Sequence, residues 1–227
     1  MEGKRETAMT GCGLEPILAL LAEAAGTRRQ DARIVTTHIS VILLAGKTAF
    51  KLKRPVRLPY LDFSTSEKRL AACERELWLN RRTAPALYRR VRRVTREADG
   101  ELALDGAGVL VEAVVEMGRF GDDALFDRIA TEGRLTPVLI TTLAQRIAAF
   151  HAGAHIDERR GGAETMAAVL AINAKGFALT DRLPADEVAG VNAACAVALA
   201  RHRALLDARG REGRIRRCHG DLHLRNI

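Results

Sequence analysis

The sequence predicts an α+β protein in two lobes, an antiparallel sheet of about five strands with one inserted helix, followed by a mostly helical second lobe. Three observations predict it. Ile, Val and Thr concentrate in residues 33–53 and again in 88–117, with turn signals at Gly46-Lys47, Asp99-Gly100 and Asp105-Gly106. Between those blocks, residues 64–84 change to helical spacing behind a start rich in Ser and Thr. From Asp122 onward strand signals largely vanish and apolar residues recur every three or four positions. The implied division is a tail and short helix over 1–30, a sheet lobe over 31–117 and a helical lobe over 118–227.

Each element has its own signal. Residues 1–11 are polar and read as a frayed terminus, and Leu14, Ile17, Leu18, Leu21 and Ala25 make the stripe of a short helix closed by Gly26. Residues 33–45 and 48–53 read as a hairpin about Gly46-Lys47, with Lys51 and Lys53 two apart and so on one face of its second strand. Beyond a loop over Pro55–Pro59, Ser64 and Glu67 stand at capping-box spacing, Leu70, Cys73, Leu77 and Ala84 mark a buried helix face, and Glu74 and Glu76 flank it. Strands follow over 88–95, 101–104 and 109–117. The last is continuously apolar and suits the sheet centre, its end at Val115-Glu116-Met117-Gly118 leaving backbone free where the chain departs. The second lobe holds a short helix over 122–131 stopped by Gly133 and a longer one opened by Thr136-Pro137. Leu139, Leu143, Ile147 and Phe150 form the longer helix's stripe, which ends at His151; a Gly-rich break over 159–165 and helices over 164–174 and 185–209 follow. No internal repeat interrupts this order.

Composition narrows the function. With 36 basic and 28 acidic residues the net charge is +8, which suits a phosphate-bearing ligand, an acidic membrane or a nucleic acid. Arginine spread over many helices and aromatics at only 4% argue against nucleic acid. Cys12, Cys73, Cys195 and Cys218 show no C-x-x-C spacing and read as reduced, mostly buried thiols. The first apolar run, about 12 residues long, is too short to span a bilayer, so the expectation is a soluble cytoplasmic protein without membrane partners.

The densest chemistry lies in Cys218-His219-Gly220-Asp221-Leu222-His223-Leu224-Arg225-Asn226. His-x-Asp with Asn five residues later is the spacing of the kinase catalytic loop, in which Asp accepts the proton of the attacking hydroxyl and Asn holds magnesium. Two other readings stand beside it: a polar tail without a role, and a metal site in which His219, Asp221 and His223 share one face of a strand. Gly220 weakens such a strand, and the metal reading leaves Asn226 unused. Only phosphoryl transfer also employs Lys51, preceded by Ala49-Phe50 in the order of a V-A-I-K strand, and a helical partner for it, Glu76 or Glu74. Alone, Lys51 and Lys53 would read as guards of a solvated edge strand. No G-x-G-x-x-G precedes Lys51; the turn Thr36-Thr37-His38-Ile39-Ser40 stands in its place, with His38 read as structural.

The form His219-Gly220-Asp221-Leu222-His223 with Asn226 resembles the aminoglycoside phosphotransferase and choline kinase-like branch of the protein-kinase-like fold. Thr37-His38-Ile39-Ser40, Ala49-Phe50-Lys51-Leu52-Lys53-Arg54-Pro55-Val56, Leu61-Asp62-Phe63-Ser64, Glu76-Leu77 with Leu79-Asn80-Arg81-Arg82, and Ala148-Ala149-Phe150-His151-Ala152 resemble a bacterial family of uncharacterised phosphotransferase-like proteins. Those proteins often carry a P-loop ATPase domain after the kinase-like one. Over residues 33–227 the resemblance implies ATP and Mg2+ as cofactors and a small-molecule hydroxyl acceptor. It implies Asp221 as catalytic base flanked by His219 and His223, Asn226 as magnesium ligand, and Lys51 with Lys53 at the phosphates. Glu76 or Glu74 would be the lysine partner, and Glu116 and Met117 would lie at the adenine ring. The family pattern continues beyond Asn226 with an Asp that binds the main magnesium ion. The expectation is therefore a truncated phosphotransferase, with a missing C-terminal segment or P-loop ATPase domain as partner and with apolar faces at 139–150 and 188–206 left open. The alternative is a non-catalytic pseudokinase or gene fragment that binds nucleotide or acts as an interaction module.

Overall fold

The computed structural model describes residues 13–58, 61–158 and 161–227, and the chain divides into two compact units, Met1–Ala124 and Leu125–Ile227. The polar terminus, Cys12, the end of the Pro55–Pro59 loop and the first residues of the 159–165 break lie outside the described residues. The division falls after Ala124, where a 3-10 turn at Asp122–Ala124 separates the sheet from the helices, and not at 117.

The first unit contains α1 (Leu14–Ala24), β1 (Arg33–Thr36), β2 (Ser40–Ala45), β3 (Thr48–Lys53), β4 (Arg57–Leu58), β5 (Leu61–Asp62), α2 (Ser66–Asn80), β6 (Tyr88–Arg96), β7 (Leu102–Leu104) and β8 (Val109–Gly118). Six strands form one antiparallel sheet in the order β1-β2-β3-β8-β6-β7, and β4 pairs with β5 as a separate ribbon. The sheet thus has one strand more than expected. The turn named at Thr36–Ser40 divides residues 33–45 into two strands, closed by Thr37 N donating to the Ser40 carbonyl at 2.8 Å and Ser40 N donating to Thr37 Oγ1 at 3.0 Å. The β2–β3 turn is the predicted one: Gly46 takes φ +54°, the left-handed conformation a two-residue hairpin loop requires.

Strand alternation sends consecutive side chains to opposite faces. Phe50, Leu52, Leu43 and Val114 join Ile17, Leu18, Leu21 and Ala22 of α1 in one buried cluster. Ala49, Ala113, Val115 and Met117 pack with Cys73 of α2 in the other. Each fully buried Leu or Phe contributes about 1.5–3 kcal/mol, so α1 is an integral layer of this unit and not part of a separate 1–30 segment. The α2 start also differs by one residue. Thr65, not Ser64, caps it by accepting from Lys68 N at 3.3 Å, because Ser64 donates to Asp62 through both N and Oγ. Lys68 also donates to Asp62 at 2.6 Å, and these partners hold the Asp62 carboxyl well below the usual carboxylate range. Ala84 lies beyond α2, in the turn that precedes β6.

The second unit is helical: α3 (Phe126–Thr131), α4 (Pro137–Gly153), α5 (Gly162–Phe177) and α6 (Ala185–Arg211). Thr136 caps α4 by accepting from Leu139 N at 3.2 Å, with Pro137 in the first turn. α5 is pressed onto α6: a Cβ at Gly162 would lie 1.9 Å from the Leu206 carbonyl oxygen, and Asp207 accepts from Ala163 N at 2.9 Å. Val138, Ile140, Val191 and Val197 are exposed on α4 and α6, and Leu139 of the expected α4 stripe is not buried. Among the described residues no helix is long and apolar enough to cross a membrane, and of the cysteines only Cys73 is buried, Cys195 and Cys218 being half-buried.

Candidate functional site

The lysines of β3 sit inside the sheet, between β2 and β8, so they do not guard an edge. Their shared face is the one α2 covers. Lys51 Nζ donates to Glu76 Oε1 at 2.8 Å, and Lys53 Nζ donates to Glu76 Oε2. Burial alone would lower the Lys51 pKa, but the Glu76 carboxylate outweighs it and holds the ammonium above its ordinary value. Burial would likewise raise Glu76, and the two lysines outweigh it and hold the carboxyl below its ordinary value. Both partners are therefore charged at neutral pH. Glu74 is on the exposed side of α2 and takes no part.

Glu116 and Met117 stand differently from expectation. Both are buried, and each is paired in register with β3 on one side and β6 on the other. The ladder continues past them, with Gly118 N donating to the Leu87 carbonyl at 2.8 Å and Arg119 N to that of Lys47 at 2.9 Å. The backbone at the strand end is thus taken up by the sheet, and the Glu116 carboxylate is occupied by Arg90 at 2.9 Å, with Arg92 and Arg89 nearby. The signal was the apolar run itself, which continues the sheet to its last residue.

In the second unit the loop after α6 is tied at both ends. Ahead of it, Asp157 N donates to the Ile215 carbonyl and Arg217 N to that of His155, while the Arg216 guanidinium donates to the carbonyls of His151, Ala152 and Ala154 at the end of α4. Behind it, Phe126 N donates to the Ile227 carbonyl at 3.2 Å, and Arg225 lies 3.5 Å from Asp127. Gly220 has φ +82°, a conformation that excludes most side chains, and it turns the chain between His219 and Asp221. His219 Nδ1 accepts from Asp221 N at 3.2 Å. The segment is not a strand, so His219, Asp221 and His223 do not share a face, and among the described residues no three His, Cys, Asp or Glu side chains are grouped to hold a metal.

The loop gathers three of the expected residues about one carboxylate. Asn226 Nδ2 donates to the Asp221 backbone oxygen at 2.8 Å and to Asp221 Oδ2 at 2.9 Å. His223 Nδ1 accepts from Arg225 N at 3.2 Å, and its Nε2 lies 3.2 Å from Asn226 Nδ2 and 3.5 Å from Asp221 Oδ2. The Asp221 side chain is 72% exposed, so it is open to a substrate.

Comparison with known proteins adds relatives but no activity. Uncharacterised proteins of Mycobacterium bovis and of two strains of Mycobacterium tuberculosis are 35% identical to this chain over 115 residues, 51% of the chain and 21% of each relative. The chain thus spans about a fifth of the length of the curated relatives it matches. No protein-family model and no solved structure matches it.

Two supporting residues escaped the sequence reading. Arg69, Cys73 and Glu76 share one stripe of α2, and Arg69 Nε donates to Glu112 of β8 at 2.7 and 2.9 Å. Its other nitrogens donate to the carbonyls of Phe63 and Val111. A glutamate in the middle of the apolar run 109–117 was the available signal, since a buried carboxylate requires a partner. Arg216 gave none, being one arginine of three in a short segment.

Proposed function

We propose that this chain carries the machinery of an ATP-dependent phosphotransferase, similar to the aminoglycoside phosphotransferases in a protein-kinase-like fold, acting on a hydroxyl of a small molecule. The observation that carries the reading is the Lys51–Glu76 ion pair, which joins the third strand to the helix that follows it. Kinases need such a lysine at the phosphates and a helical glutamate to fix it. The Asp221–His223–Asn226 arrangement supports the same reading from the second unit.

Bound ATP supplies the transferable phosphoryl group. Lys51, kept protonated by Glu76, contacts phosphate oxygens. Asp221 accepts the proton of the acceptor hydroxyl as its oxygen bonds to the γ-phosphorus and the bond to the ADP leaving group breaks, and the Asn226 amide holds the carboxylate in place for that transfer, with His223 beside it. Because Asn226 commits its nitrogen to Asp221, its carbonyl oxygen is the atom left for a magnesium ion, which takes oxygen ligands. A thermal-shift titration with MgATP tests the reading: specific binding at a hundredfold excess over Kd adds about 2.7 kcal/mol and raises Tm. An unchanged Tm up to millimolar MgATP contradicts it. Asp221→Ala is expected to keep that shift and abolish phosphate release from ATP.

A further inference from the structure

Two ammonium groups share one carboxylate in this site, and they are not equivalent. The Lys51 side chain is 26% exposed and that of Lys53 is 7% exposed. Lys53 is further enclosed by Phe63, whose ring centroid lies 5.7 Å from Nζ. Each lysine occupies a different oxygen of Glu76. Lys51 is thereby held by a single oxygen, and two of its three ammonium protons remain for a ligand. The three side chains together carry a net charge of +1, so the pair keeps an attraction for an anion that an isolated Lys–Glu pair lacks.

On the proposed phosphate-binding reading, we infer that Lys53 is a positioning residue: it occupies one oxygen of Glu76 and so keeps Lys51 available to phosphate. Without Lys53, both Glu76 oxygens close on Lys51 and compete with the ligand for its protons. The inference separates the two lysines by role, one buried and directed to protein, one accessible and directed to ligand. It also explains why both fall on the same face of β3.

The test is a double-mutant cycle on the full chain, with MgATP as the probe in calorimetric titrations. Lys53→Met is expected to weaken binding about tenfold, the value of one charged hydrogen bond, while Lys53→Arg, which still donates to Glu76, retains most of the affinity. In the Glu76→Gln background, where no carboxylate competes for Lys51, Lys53→Met is expected to cost less than about threefold. A role confined to stability would give the same loss in both backgrounds, and equal losses overturn the inference while leaving the phosphotransferase reading intact. Absence of MgATP binding to the wild-type chain overturns both. Circular dichroism and melting accompany each variant, and where Lys53→Met melts below the assay temperature, Lys53→Gln takes its place in the same cycle.

Discussion

Replacing Arg69 by Met tests how α2, and with it Glu76, is fixed to the sheet. Glu112 is 2% exposed, and its partners are the Arg69 guanidinium and the Ala113 amide. The substitution leaves a buried carboxylate without its countercharge and two carbonyls, of Phe63 and Val111, without their donor. Breaking a buried pair in this way costs about 3–5 kcal/mol. Each kcal/mol lowers Tm by about 4–8 °C in a domain of about 60–100 residues and by about 2–4 °C in one of about 150–250, so the variant should melt at least about 6 °C below wild type in calorimetry. Burial already holds the Glu112 carboxyl above its ordinary value despite Arg69, and without Arg69 it rises further. The folded state then binds more protons than the unfolded state above pH 4.5, so stability falls as pH rises, and the deficit of Arg69→Met should shrink toward acid. Arg69→Met combined with Glu112→Leu should recover most of the loss. A Tm within about 2 °C of wild type for Arg69→Met, or a deficit that does not change with pH, would refute the reasoning.

Three further outcomes follow from the same structure. The Lys51–Glu76 pair contributes stability that is present above the unfolded Glu value of 4.5 and lost as pH falls through the lowered folded value; at the other end it is present below 10.5 and lost as pH rises through the raised Lys51 value. Glu76→Gln should therefore flatten the acid limb of a stability-versus-pH curve measured by urea denaturation and, since burial alone lowers the Lys51 value, reverse the alkaline one. Gly162→Ala should destabilise the helical unit by about 1–3 kcal/mol, since its methyl group meets the Leu206 carbonyl and forces α5 from α6; an unchanged urea midpoint would contradict that packing. Burial pushes the Cys73 thiol up to about 12, so peptide mapping after native alkylation should find Cys73 unmodified until the protein is unfolded, while Cys195 and Cys218 react.

The sheet-then-helix order was legible in the sequence because it rests on periodicity. Residues 88–117 hold strand-like runs separated by Gly-bearing turns, and Thr136-Pro137 announces α4. The turn at Thr36–Ser40 was legible, but its division of residues 33–45 into two strands was not, because β-branched residues stand within the turn as well as on both sides of it. Lys51, Lys53 and Glu76 were legible as candidates, but choosing Glu76 over Glu74 needed the helix phase that only packing sets: with Cys73 inward, Glu76 follows three residues on and Glu74 turns to solvent. Glu116 and Met117 were misplaced because a strand's last free backbone depends on where its neighbours end, and those neighbours are distant in sequence. Arg69–Glu112 was missed for a similar reason, its partners lying on different elements.

Calorimetric titration of MgATP into the wild-type chain and into Lys51→Met tests the central claim most directly. The account predicts saturable one-site binding to wild type, weakened at least about tenfold by the loss of a charged hydrogen bond in a variant that still folds. No binding to wild type, or equal binding to both proteins, would contradict it.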